Sequence, residues 1–208
     1  LKEVRELLML SRGYGMESVR QRAMSTAETV SASLSEVVDD SALELVVDLR
    51  LAFGRLLAAL GANERAEKEH LDTAELSLSQ GWTETACAAL ALASHAAQAR
   101  GDRAASGRAW RQCRESMESW PMNRPGERCG ILVDAVGDPL VAVQVLSALA
   151  EVLVDGVEED HSRAPIIREI ISRASEQASR CVSPPQGAVE SLARVEERGR
   201  SCNEVPCR

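Results

Sequence analysis

Aromatic side chains are nearly absent from this chain. Three Trp, one Tyr and one Phe make up 2% of its 208 residues. A core with so few rings has to be filled by Ala, Leu, Val and Ile, and alanine lets helices approach closely while favouring the helical state. The scarcity also removes the rings on which single-stranded nucleic acids stack. We therefore expect tightly packed helices.

Basic residues are outnumbered by acidic ones, 24 to 32, which gives a formal net charge of −8. Such a chain is repelled by phosphate backbones and by anionic lipid. The only lysines are Lys2 and Lys68, and the sequence contains no glycine-rich phosphate loop and no Gly-x-Ser-x-Gly nucleophile turn. The sequence therefore predicts no nucleic-acid partner and no cofactor, and it indicates no catalytic residue.

Long apolar runs are missing as well. No stretch approaches the ~20 residues that a membrane-spanning helix needs, and no basic-then-apolar leader opens the chain, so we expect no membrane insertion. The six cysteines are scattered rather than paired at short spacing, which favours a reduced, intracellular and cytoplasmic location. Only Cys202 and Cys207 lie close together in the sequence, and the spacing does not decide whether they form a disulfide bond.

What the sequence does contain is helical periodicity. Apolar residues recur every three to four positions from the first residue onward, and glycines punctuate the pattern. Residues 1–12 and 16–34 form a first candidate hairpin, and later helices are expected to end at Gly61, Gly81 and Gly101. Asn63, Thr83 and Asp102 are the residue types that cap the helices that follow. The pattern predicts an all-α fold of stacked antiparallel helical hairpins.

The domain organisation is predicted from the positions at which the helical periodicity is interrupted. Residues 1–120 carry the hairpins, and residues 121–137 are rich in Pro and Gly, which predicts an irregular connection. Within it, Ile131 to Val136 can be read as a strand or as a helical turn, and we favour the turn. Residues 138–199 are expected to add further helices that continue or cap the array, with the apolar run Val141 to Val154 the most buried. Residues 200–208 are expected to form a loose tail.

Two segments carry matching residues at the positions where paired helices come into contact, among them several small residues and a turn glycine. In the first unit these residues are Phe53, Gly54, Leu57, Gly61, Ala66, His70 and Thr73. In the second they are Ser94, Ala97, Gly101, Ser106, Trp110 and Cys113. Residues 40–120 resemble a tetratricopeptide-repeat array, although the turn glycines are forty residues apart, against about 34 in a regular array, and the usual prolines are missing except for Pro121. The resemblance implies an irregular α-solenoid, with a generic helical repeat or an irregular helical bundle as the alternatives.

The resemblance also implies a function. In such arrays the first helix of each hairpin lines a concave groove that receives a peptide or a partner helix, which predicts a protein interaction scaffold or adaptor, or the regulatory part of a larger protein. The positions that match the groove are Arg5, Arg12, Asp48, Leu51, Arg55, His95 and Gln98. Because arginine forms paired hydrogen bonds with carboxylates, an acidic or C-terminal peptide is the expected ligand. The alternative is that these arginines are ordinary solvated side chains.

Two other function classes remain open. A helical-bundle enzyme or metal-binding protein is suggested by two Glu-x-x-His pairs, Glu67 with His70 and Glu158 with His161, because this spacing puts both side chains on one helix face. Such a site needs two more glutamates, and Glu36 and Glu127 are the only candidates. The sequence places Glu127 and Glu158 in loops, which disfavours a metal site. A structural subunit of a stable complex is the third class.

Overall fold

The computed structural model describes residues 43–120, 123–154, 163–183 and 185–203, and also residues 21, 25, 26 and 29. Side chains are described to residue 197, except that of Pro125. These residues form eight helices and no strand, so the all-α prediction is confirmed for this part of the chain. The four isolated positions, which fall in the predicted run 16–34, are also helical. In chain order the helices are α1 (Leu43–Ala59), α2 (Asn63–Ser79), α3 (Thr83–Ala99), α4 (Arg103–Glu118), α5 (Pro125–Val136), α6 (Pro139–Val154), α7 (Ala164–Ser179) and α8 (Gln186–Asn203).

The first four helices are joined by three turns of the same type. Gly61, Gly81 and Gly101 have φ angles of 79°, 73° and 85°, the left-handed region that glycine enters without strain. Each glycine N–H donates to a carbonyl three residues back, and the next N–H donates five residues back, as in a Schellman motif. The predicted bends at Gly61 and Gly101 are therefore confirmed, and each short turn folds one helix back against the next.

Two of the three predicted helix caps lie one residue inside their helices. Asn63 and Thr83 are the first residues of α2 and α3, and neither helix has a side-chain cap bond. Asp102 does cap α4, accepting a 2.9 Å hydrogen bond from the N–H of Ala105. That bond is the largest of several influences that together lower the pKa of the Asp102 carboxyl. Asp138 likewise accepts a 2.9 Å bond from the N–H of Leu140 at the start of α6.

Helix α3 lies at the centre of the described fold, in contact with α2 and α4 and with α5 and α6 of the second half. Most of its alanines are 3% exposed or less, so the neighbouring helices come close to its backbone. Helix α6 is largely buried, but the prediction that it is the most buried helix is not confirmed, because α3 is buried to a similar degree. Its buried side chains are mostly alanines, which form a weak apolar pattern in the sequence. The central position of α3 was therefore not predicted.

The segment 121–137 differs from the irregular connection that the sequence predicted. Residues 125–136 form α5, which packs against α3, α6 and α7. Its buried residues Cys129, Leu132 and Val136 are fully covered and lie at helical spacing. At the other end of the chain, α8 continues to Asn203 and so enters the predicted tail. None of the described helices is long and apolar enough to cross a membrane.

Candidate partner-binding groove

One face of α1 lines an open groove, which we call the α1 groove. The α1 residues that line it are Glu44, Val47, Asp48, Leu51, Arg55, Ala58 and Ala59. They recur every three to four positions and therefore share one side of the helix. Helix α5 and the start of α6 form the facing wall, and α2 and α3 contribute to the lining. The groove contains two cavities, of about 380 Å³ and 240 Å³, and Arg55 lines both.

Arg55 joins the two walls. Its Nη1 atom donates hydrogen bonds to the carbonyl oxygens of Ala135, at 2.8 Å, and Asp134, at 3.4 Å. These carbonyls end α5, where the helix dipole favours a positive charge. A β-carbon on Gly137 would lie 2.4 Å from the same nitrogen, so the glycine that ends α5 makes room for the guanidinium. Arg55 therefore holds α5 in place along α1.

The larger cavity has acidic walls. Four carboxylates line it, from Glu44, Asp48, Glu84 and Asp134. Glu84 is 6% exposed and forms an ion pair with Arg128, so part of the negative charge is balanced. The same cavity is lined by the partly buried Trp82 and by Ile131, which is 46% exposed. An indole and an exposed aliphatic side chain surrounded by carboxylates suit the stem and charge of a basic side chain.

The smaller cavity is lined by two histidines with different surroundings. His95 is exposed, whereas His70 is 1% exposed and its Nδ1 atom has no hydrogen-bond partner in the part of the chain that is described. Burial, and after it the charge of Arg55, lowers the pKa of His70 to about 3. The His70 imidazole is therefore neutral at physiological pH, and it packs as a core ring rather than acting as a proton acceptor.

The candidate metal ligands do not converge where they can be placed. Glu67 forms a 2.8 Å ion pair with Arg100, and Glu127 is exposed beside Arg124. Glu36, Glu158 and His161 lie outside the described residues. Within the described ranges, no group of three or more His, Cys, Asp or Glu side chains is arranged to hold a metal ion.

The sequence-predicted groove residues are divided between separate cavities. Asp48 and Arg55 line the acidic cavity together with Leu51, which is only 1% exposed and forms part of its floor. His95 lines the smaller cavity. Gln98, one turn further along α3, lines a different cavity beside α4. Arg5 and Arg12 lie outside the described residues.

Sequence reasoning missed the facing wall and the acidic rim. Ile131 and Asp134 belong to α5, which was expected to be irregular, and Trp82 was not considered because it comes directly after a turn glycine. Glu44 could have been predicted, because it lies one turn before Asp48 on the same face of α1. The wall on α5 was not, because it depends on packing between residues eighty positions apart.

Comparison with protein families, with curated proteins and with solved structures finds no match to this chain, so its function is argued from its own geometry.

Proposed function

We propose that this protein is an interaction scaffold that binds a peptide or a partner helix in the α1 groove. The observation that carries the proposal is the acidic cavity. Its lining combines four carboxylates with Trp82 and the exposed Ile131 in an open groove between helices. Pockets with a few placed polar groups on an apolar lining are the usual form of a recognition site.

The charges favour a basic segment of the partner over the acidic peptide expected from the sequence. Arg55 donates to the end of α5, and the carboxylates of the cavity outnumber its single arginine. A lysine or arginine of the partner would place its stem against Trp82 and Ile131 and its charge among the carboxylates. Cation–π contact and paired hydrogen bonds both strengthen such an arrangement.

The fold and the location are part of the same proposal. We infer that the α1–α2 and α3–α4 hairpins are units of an irregular tetratricopeptide-like array, which the twenty-residue interval between the three turn glycines supports. Helix α5 packs on α3 and forms the wall of the groove opposite α1. We also propose an intracellular, cytoplasmic location, which the free thiols of the four described cysteines support.

Selection from a displayed peptide library tests the function. The wild-type chain is used as bait, and a variant carrying Glu44→Lys and Asp134→Lys is used for comparison. Both carboxylates are exposed, so their reversal changes the charge of the cavity without disturbing the core. We expect the wild type to select peptides rich in Lys or Arg, and the variant to bind them at least tenfold more weakly.

A charge-matched control separates the groove from a general effect of net charge. Asp72→Lys and Glu118→Lys reverse two exposed carboxylates of α2 and α4 that line neither cavity of the groove. This control is expected to bind the selected peptides like the wild type. Selection of no peptide, or equal loss of binding in both double variants, would show that the groove is not the recognition site.

A further inference from the structure

A second and larger cavity lies between α3, α4, α6 and the start of α8, and we call it the polar cavity. Its volume is about 740 Å³, within the range of small-molecule sites. It is separate from the α1 groove, since the two share no lining residue. Binding of a ligand there is therefore independent of the proposed scaffold function.

One face of α4 supplies the most distinctive wall. Arg103, Gly107, Trp110 and Arg114 follow one another at intervals of four, three and four residues, so they form a single row along the helix. Trp110 is partly exposed, and its indole lies in this row between a glycine and an arginine. The row therefore combines a flat aromatic surface with a positive charge on each side.

Gly107, one turn before Trp110 on the same helix face, leaves open space on the cavity side of α4. A β-carbon at that position would meet no atom within 4 Å, and the same is true of Gly187 in α8, which also lines the cavity. Glycine is unfavourable inside a helix compared with alanine. No internal contact requires the missing side chain at Gly107, so the open space is available to a ligand.

The charge of the cavity is positive although the chain is acidic. Glu151 is its one carboxylate, and it accepts hydrogen bonds from Arg114, at 2.9 Å, and from Ser191. Burial raises the pKa of Glu151, but the hydrogen bonds from Ser191 and Arg114, together with the charges of Arg114 and Arg194, outweigh burial and leave the pKa below its usual value. The guanidinium of Arg103 is exposed and has no ion-pair partner in the part of the chain that is described. The excess positive charge is therefore at Arg103.

We propose that the polar cavity binds a small planar aromatic anion, an aryl carboxylate or aryl phosphate. The ring lies on Trp110 in the space above Gly107, and the anionic group pairs with Arg103. Four residues separate Gly107 from Arg103, a rise of about 6 Å, which matches the span from a fused ring to its acid group. The side-chain amides of Gln98 and Gln144, on the other walls, supply further hydrogen bonds.

Calorimetric titration of the full chain with a probe panel tests the proposal. The panel contains 2-naphthoate and 2-naphthyl phosphate, with 2-naphthamide as the neutral counterpart, and fluorescence of the tryptophans provides a second readout. We expect saturable binding of the two anions and at least fivefold weaker binding of the amide. Arg103→Gln is expected to weaken anion binding at least fivefold while leaving binding of the amide unchanged.

Two leucine substitutions on α4 separate binding from folding. Gly107→Leu places a side chain in the cavity, and Ala104→Leu adds the same side chain at an exposed position outside it. Both are expected to keep the thermal midpoint of the wild type or raise it, and only Gly107→Leu abolishes binding. Absence of saturable binding by either anion, equal affinity for the amide, or unchanged binding in Gly107→Leu would overturn the proposal.

Discussion

The imidazole of His70 lies directly over the backbone of Gly54. A β-carbon at position 54 would stand 2.3 Å from the Cε1 atom of the ring, closer than any real contact. Gly54 is in the middle of α1 and His70 in the middle of α2, so the absence of one side chain admits the other between the helices. The first hairpin is therefore closed by a ring packed on a glycine.

Replacing Gly54 with alanine is expected to destabilise the protein although alanine favours helix. Overpacking costs about 1–3 kcal/mol, against a propensity gain of about 1 kcal/mol. Gly107→Ala is the matched control, because its β-carbon meets no neighbour, and it is expected to stabilise by roughly 0.5–1 kcal/mol. Urea unfolding of both variants measures the difference. A Gly54→Ala variant as stable as Gly107→Ala would show that the ring is not packed at this position.

Stability is expected to fall as the pH drops from about 6.5 toward 3. Burial lowers the pKa of folded His70 to about 3, whereas in the unfolded chain it has the ordinary value near 6.5. Between these values the unfolded chain binds a proton that the folded chain does not, so the free energy of unfolding decreases, by up to roughly 1.4 kcal/mol per pH unit.

Nuclear magnetic resonance tests this directly, because the chain has only three histidines. The His70 signal, assigned by its loss in His70→Gln, is expected to show no titration down to pH 4. Unfolding of this variant should also depend less steeply on pH than unfolding of the wild type. A His70 signal that titrates near pH 6.5 would contradict the buried, neutral ring.

Removing Arg128 is expected to leave a buried charge without its partner. The Glu84 side chain is 7% exposed and its ion pair with Arg128 connects α3 to α5. Arg128→Met should therefore cost about 2–4 kcal/mol in the free energy of unfolding. The control is Arg124→Met, whose 3.4 Å pair with Glu127 is exposed, with an expected cost below about 0.5 kcal/mol. If the two substitutions lowered the free energy of unfolding by similar amounts, the ion pair between Glu84 and Arg128 would not be what holds α5 against α3.

The buried thiols of α3 and α4 are expected to be unreactive in the folded protein. The Cys87 thiol contacts the carbonyl of Cys113 at 3.8 Å, and the Cys113 thiol contacts that of Cys87 at 3.4 Å. A hydrogen bond with Cys87, and then burial, raises the pKa of Cys113 well above its usual value. In a variant that carries Cys202→Ser and Cys207→Ser, Cys181 should react with iodoacetamide at least tenfold faster than Cys87 or Cys113. Equal rates without denaturant would contradict this packing.

Local features of the sequence were enough to predict the helical hairpins. Gly61 and Gly101 interrupt apolar patterns of period 3.6, and no other residue enters the left-handed conformation as easily, so both bends could be predicted. Asp48 and Arg55 were placed on the groove because the resemblance to a tetratricopeptide array assigns it to the first helix of each hairpin.

The rest of the groove could not be predicted, because tertiary packing outweighs local preference in α5. Pro125 is tolerated in the first turn of a helix, and the cost of Gly130 is offset by burial of Cys129, Leu132 and Val136. The role of Arg55 also depends on this helix, since the carbonyls to which it donates belong to α5. The resemblance gave the position of this arginine but not its partner.

Chemical-shift mapping of a selected basic peptide on the labelled chain locates the surface that recognises it. The perturbed amides are expected to cluster on Val47, Asp48 and Arg55 of α1, together with Trp82 and Ile131 across the acidic cavity. Perturbations concentrated on α2, on α4 or on the polar cavity would contradict recognition in the α1 groove.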